Sequence, residues 1–188
     1  MKLMQQWGIL SLILVLWPGC RGTEAPAAPA SASKSASLSN AVASAVQQAA
    51  QSAKAQAKLP TIKLWLGAEE IVAEQALTEA QWATGMMART QMGENEGMLF
   101  VFPVAHRASF YMKNTPLPLA GAYIDPEGVI QEIIDMKPLD ETPLPAASDN
   151  IQYVLEMNKD WFARHNIGVG TVLRTERGSL RETYFRRR

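Results

Sequence analysis

Gly97-Met98-Leu99-Phe100-Val101-Phe102-Pro103 holds five apolar side chains in an unbroken row. A strand with one wet face alternates apolar and polar residues, because successive side chains point to opposite faces. A continuous run closed by Pro103 therefore predicts a strand covered on both faces. That places a sheet at the centre of a domain and asks its neighbours to supply two layers of cover.

Working downstream, residues 108–112 predict another strand. Residues 119–124, the turn Asp125-Pro126-Glu127-Gly128 and residues 129–136 read as a hairpin, with Pro126 at the first central turn position and Gly128 at the left-handed one. Residues 137–149 form a long loop with Pro138, Pro143 and Pro145, and 151–157 alternate as a strand. Asn158 is expected to cap a short helix carrying Trp161 and Phe162, and 172–174 to form a last strand. Upstream, Ile62, Leu64 and Leu66 alternate with polar neighbours, Gly67 and Ala68 make a turn, and 70–76 return as a second strand. Thr78 with Gln81 matches a capping box, opening a helix whose buried face is expected to hold Trp82, Ala83, Met86 and Met87. Residues 93–97 are a loop. Many short strands with one or two short helices predict a mainly β domain over 61–176, a compact jelly-roll-like sandwich or barrel.

The first sixty residues differ in kind. Lys2 precedes an uncharged run, 7–17, which is a signal-peptide h-region and is shorter than the roughly 20 residues a bilayer span requires. Gly19-Cys20 resembles a bacterial lipobox, although small residues are usual where Trp17 and Pro18 stand. Cys20 is the only cysteine, and a free thiol is unexpected in an oxidising compartment, which favours lipidation. The expectation is a signal peptide at 1–19 and an exported chain anchored to the bilayer through Cys20. Arg21, where inner-membrane retention would have Asp, points to the outer membrane if the host is Gram-negative. Residues 20–60 read as a tether: Ala, Pro and Ser at 23–39, then an Ala- and Gln-rich segment at 40–58 with high helix propensity.

The chain has zero formal net charge, unevenly spread. Residues 61–176 carry eight basic and sixteen acidic side chains, which argues against a nucleic-acid partner. Residues 177–188 carry five basic groups and Glu182, and read as a basic C-terminal tail, solvated and frayed. His106 and His165 are far apart, with no cysteine cluster, so no metal site is expected. No nucleophile elbow and no Gly-rich phosphate loop is present, and no cofactor is implied.

The polar triplet Lys113-Asn114-Thr115 between apolar runs offers a cation, an amide and a hydroxyl for an anionic or hydroxyl-rich ligand. Its structural alternative is a turn satisfying its own backbone, with Lys113 paired to a carboxylate. Arg89 is suited to clamp a carboxylate, from a ligand or, structurally, from Asp125 or Glu156. Asp125 reads first as a turn residue and Glu156 as a weak acid/base candidate. The ligand-binding set is thus Lys113, Asn114, Thr115, Arg89 and Asp125, with the catalytic set unknown. Three functions compete: a non-catalytic envelope domain binding a glycan, peptide or protein; an envelope-polysaccharide hydrolase using Asp125 or Glu156 with Lys113; and a structural accessory acting through the 40–58 segment.

The block Phe110-Tyr111-Met112-Lys113-Asn114-Thr115-Pro116-Leu117-Pro118-Leu119, with Gly97 to Pro103 before it and Gly85-Met86-Met87-Ala88-Arg89 further upstream, resembles the core signature of the bacterial and archaeal domain-of-unknown-function family 192. The resemblance continues through Tyr123-Ile124-Asp125, Gly128, Tyr153-Val154-Leu155-Glu156 and Gly168-Val169-Gly170. It implies a compact jelly-roll-like β domain, often secreted or membrane-anchored, and no particular activity. Two positions depart from the family's habit of an acid: Ala120 and Thr171.

Overall fold

The computed structural model describes residues 55–186. The elements are β1 (Thr61–Leu66), β2 (Glu69–Ala76), α1 (Glu79–Thr84), β3 (Glu96–His106), β4 (Ser109–Phe110), β5 (Leu119–Ile124), β6 (Ile130–Met136), β7 (Leu144–Pro145), β8 (Ile151–Asn158), α2 (Trp161–Arg164), β9 (Leu173–Thr175), β10 (Gly178–Ser179) and α3 (Leu180–Phe185). Eight strands form one sheet in the order β10-β9-β1-β2-β3-β8-β5-β6, and β4 pairs with β7 in a second, two-stranded sheet. Over the described residues the fold is mainly β and sandwich-like, as expected, with three short helices instead of one or two. The sheet curls until its ends touch at a single antiparallel bridge, Val129 to Val172, without closing as a barrel.

The run at Met98–Phe102 explains the layering. β3 lies between β2 and β8, and its side chains divide by parity between two cores. Leu99 and Val101 join Ile62, Leu64, Tyr153, Leu155, Trp161, Leu173 and Leu180 inside the curl. Met98, Phe100 and Phe102 join Met86, Met112, Tyr123, Met136 and Val154 on the outer face. That face is covered by α1 with the segment after it, β4 and the 137–149 loop. Both faces of the central strands are dry, so alternation disappears there. β1, two strands away from β3, keeps it: Ile62, Leu64 and Leu66 are buried, while Thr61 and Lys63 are exposed.

All strand pairs are antiparallel except β2 with β3. A parallel pair needs a crossover, and residues 77–95 supply it, carrying α1. Thr78 and Gln81 form the capping box expected of them. The helix then stops at Thr84, because Gly85 adopts φ 47°. Met86 and Met87 therefore lie beyond the helix, and Ala83 is exposed.

Four other expectations are corrected. β3 starts at Glu96, inside the expected loop, and Pro103 does not end it; the strand continues to His106 across a register shift. Pro103 sits in that irregularity, where no ladder donor is required. The 108–112 strand shrinks to Ser109–Phe110, because Ala108 and Met112 bond to loop backbone at Ala146 and Asp140. Asn158 ends β8 and donates its amide to the Gly93 carbonyl (2.8 Å), so the cap position of α2 falls to Asp160, which makes no side-chain capping bond. The stretch from Arg177 does not fray: β10 pairs with β9, a Ser179/Glu182 capping box opens α3, and Leu180 is fully buried. The Tyr184 hydroxyl donates to Gln75 (2.8 Å), and Tyr184 and Phe185 pack on the inner core.

The expected signal peptide at 1–19, Cys20, the expected Ala/Pro/Ser tether and all but the end of the 40–58 segment lie outside the described residues, as do Arg187 and Arg188. Residues 55–60 carry no helix.

Candidate functional site

A cleft of about 240 Å³ opens on the outer face of the sheet. Its walls are aromatic. Trp82 comes from α1, with its ring fixed by an indole N–H donated to the Ala76 carbonyl (2.9 Å). Phe100 and Phe102 come from β3 and Phe110 from β4. The rings pack tilted or edge-to-face: Trp82 to Phe102 at 5.0 Å between centroids, Phe100 to Phe110 at 4.9 Å, and His106 to Phe102 at 4.6 Å. Such contacts hold an aromatic wall rigid. Gly85 lets the backbone approach: a Cβ there would lie 3.3 Å from the Phe100 ring. Gln56, just before β1, donates its amide to the Gly85 carbonyl (2.8 Å), tying the 55–60 stretch to that wall.

Glu156 also lines this cleft. It belongs to β8, the strand flanked by β3 and β5, and stands opposite Met98 on one side and Gly121 on the other. A Cβ at Gly121 would lie 3.1 Å from the Met136 sulfur, so Met136 closes the space beside it. The residue is 4% exposed, and its buried Oε2 has no hydrogen-bond partner among the described residues. Burial pushes its carboxyl up to about 8. A buried carboxyl is normally paired or hydrogen-bonded, so an orphan oxygen on a residue that lines a cleft is the feature of this molecule that most needs an explanation.

The residues singled out by sequence fall in four places. Thr115 is buried and lines the cleft, but its hydroxyl donates to the Lys113 carbonyl (3.1 Å). Lys113 and Asn114 form the turn before it, with Asn114 at φ 52° and its carbonyl accepting from the Ala88 N–H. The Lys113 ammonium is half-exposed, 4.0 Å from Glu141. The triplet thus has the turn geometry of its structural alternative, and only Thr115 reaches the cleft. Arg89 is bound by neither Asp125 nor Glu156; it pairs bidentately with Glu74 (2.9 and 2.8 Å). Asp125 shapes the hairpin turn, accepting from the Glu127 and Val129 N–H groups and from the Gln131 amide. Lys113, Asp125 and Glu156 are not brought together, and Glu156 is the one carboxylate lining the cleft.

Sequence reasoning missed Trp82, Phe100, Phe102 and Phe110 as a wall. Their signal was an excess of rings on one parity of β3, where they read as core filling. Among the described residues, no group of three His, Cys, Asp or Glu side chains is placed to hold a metal ion.

The model of domain-of-unknown-function family 192, described as an uncharacterized ACR, matches residues 63–175. The chain belongs to family 192. Solved structures agree with the assignment. A suggested transcription regulator from Sinorhizobium meliloti is 28% identical, with a TM-score of 0.59 over 64% of this chain and 97% of its own. A protein of unknown function from Novosphingobium aromaticivorans is 33% identical, with a TM-score of 0.58 over 66% of this chain and 95% of its own. No protein with a curated description matches the chain.

The two departures from the family 192 pattern leave the cleft intact. Ala120 is buried in the inner core, on the other face of the sheet. Thr171 sits in the 168–171 turn, its N–H donating to the Gly168 carbonyl (3.1 Å). Neither residue lines the cleft.

Proposed function

We propose that this family 192 member is an exported lipoprotein, anchored through Cys20, whose β domain binds a small envelope ligand without chemical turnover. The carrying observation is the aromatic cleft with the unpartnered Glu156 carboxyl in its lining. A rigid apolar concavity with one polar group is the usual anatomy of a small-molecule site. The same geometry weighs against the hydrolase reading, since general acid/base cleavage of glycosides uses two carboxylates across the bond. The acidic balance of residues 61–176 gives no support to a nucleic-acid-binding role. The 7–17 apolar run and Gly19-Cys20 support export and anchoring.

Two measurements test this reading. Ser109 is exposed and lines the cleft, so Ser109→Trp fills the opening without touching a core. In a thermal-shift screen of the full chain against envelope extracts fractionated by size, a small-molecule fraction is expected to raise the wild-type midpoint by a few degrees and leave Ser109→Trp unmoved. Equal shifts in both proteins would remove the cleft from consideration. Separately, Cys20→Ala is expected to move the protein from the membrane fraction to the soluble one, and retention of that variant in the membrane would refute the anchor.

A further inference from the structure

We infer that the ligand of this cleft is a small organic cation: a protonated amine on an apolar body, with the ammonium on Glu156 and the body among the rings. The inference rests on the reading of the cleft as a binding site and adds its chemistry.

Four observations converge. The first is the orphaned carboxyl. Ionised, Glu156 only accepts hydrogen bonds, and the protein offers Oε2 no donor among the described residues. Whatever occupies the cleft has to bring the donors. The second is the wall. Trp82, Phe100, Phe102 and Phe110 line it, and aromatic rings attract cations over their faces. The third is the absence of basic side chains from the lining. The titratable groups there are Glu156, His106 and Tyr111, and His106 is exposed, with Nδ1 3.2 Å from the Val104 carbonyl oxygen. Tyr123, on the same face, donates its hydroxyl to the Leu144 carbonyl. No lysine or arginine in the lining competes for Glu156 or invites an anion. The fourth is the field: a net charge of −8 over residues 61–176 concentrates cations around the domain.

Without ligand at neutral pH, burial keeps the Glu156 carboxyl largely protonated. An arriving ammonium needs the carboxylate, so the carboxylic O–H proton leaves to solvent as the N⁺–H···O⁻ bond forms. The pair is then charge-assisted and desolvated, the condition in which such bonds are strongest. A neutral ligand of the same shape keeps the contacts with the rings and releases no proton.

The test uses the full chain in detergent and three probes of one shape: benzylammonium, benzyl alcohol and benzoate. Titration calorimetry at pH 7, in two buffers with different heats of ionisation, reads affinity and proton release together. Benzylammonium is expected to bind at least tenfold more tightly than benzyl alcohol and to release close to one proton, with benzoate the weakest of the three. Glu156→Gln, nearly isosteric, is expected to lose at least tenfold for benzylammonium, to bind benzyl alcohol as before and to melt cooperatively. Equal affinity of the amine and the alcohol, with no proton released, would overturn the cation and leave the cleft as a site for neutral ligands. Binding of none of the probes, joined to an empty screen against Ser109→Trp, would overturn the cation and the binding reading together.

Discussion

Arg89→Ala is expected to destabilise the fold by about 3–5 kcal/mol, the range for breaking a buried ion pair from one side. Arg89 and Glu74 are each only 13% exposed, and the guanidinium meets both carboxylate oxygens in the two-pronged geometry. Oε2 also accepts the Leu59 N–H at 2.8 Å, so the pair ties the entry of the domain to β2. Removing Arg89 strands the carboxylate with that single donor. Arg89→Lys keeps the charge but loses one of the two parallel bonds, and is expected to cost less. Replacing both residues by Met removes the buried charges altogether and is expected to recover most of the loss. Urea denaturation of the three variants checks the series. A loss below about 1 kcal/mol for Arg89→Ala would show that the pair behaves as a solvated one.

Arg89 also shows what a sequence can and cannot carry. Its residue type announced a carboxylate clamp, but the partner lay fifteen positions upstream, on a strand whose parallel pairing with β3 no local pattern reveals. Period-2 alternation located β1, and the unbroken run located β3, because burial on one face or two is written directly into residue order. The hairpin at 125–128 was legible because turn chemistry is local. Errors arose where tertiary bonds replaced local ones. Asn158 caps nothing because Gly93, sixty-five positions away, takes its amide. Pro103 sits inside a strand because a register shift excuses it from donating. The 177–186 segment looked like a tail by charge, although Leu180, Tyr184 and Phe185 were spaced to bury one side of a helical turn.

The site divides in the same way. Lys113-Asn114-Thr115 drew attention by polarity, yet its backbone bonds show why it is polar: Asn114 takes a left-handed conformation, and its carbonyl anchors Ala88. The more telling sign was an acid inside an apolar strand, Glu156 between Leu155 and Met157. Alternation would place such an acid in solvent. Once β8 is flanked by β3 and β5 with cover on both faces, solvent is not available, and the acid is left buried with an unpartnered oxygen.

That strain has a thermodynamic consequence. Burial raises the Glu156 carboxyl from 4.5 to about 8. Between those values the folded state holds a proton that the unfolded chain gives up, so stability falls as pH rises. The contribution is fully present below pH 4.5 and is lost as pH passes through about 8. At about 1.4 kcal/mol per pH unit, wild type is expected to lose about 3.5 kcal/mol between pH 5 and pH 8 relative to Glu156→Gln, which carries no titrating group there. Glu94, Asp140 and Glu182 are shifted the other way, downward by their hydrogen bonds, and so act at lower pH. Burial raises Tyr123, Tyr153 and Tyr184, which places their titration above the window. Urea unfolding of both proteins at unit steps from pH 5 to pH 8 isolates the one carboxyl by difference. Parallel curves would mean that Glu156 ionises freely, with water or a partner already satisfying it, and would remove the demand for a donor that the cleft's ligand is inferred to meet. Wild type falling away from Glu156→Gln as pH rises would show a fold that carries an unstable carboxylate in the lining of a cleft, and an ammonium bound at pH 8 would then restore most of what deprotonation takes away.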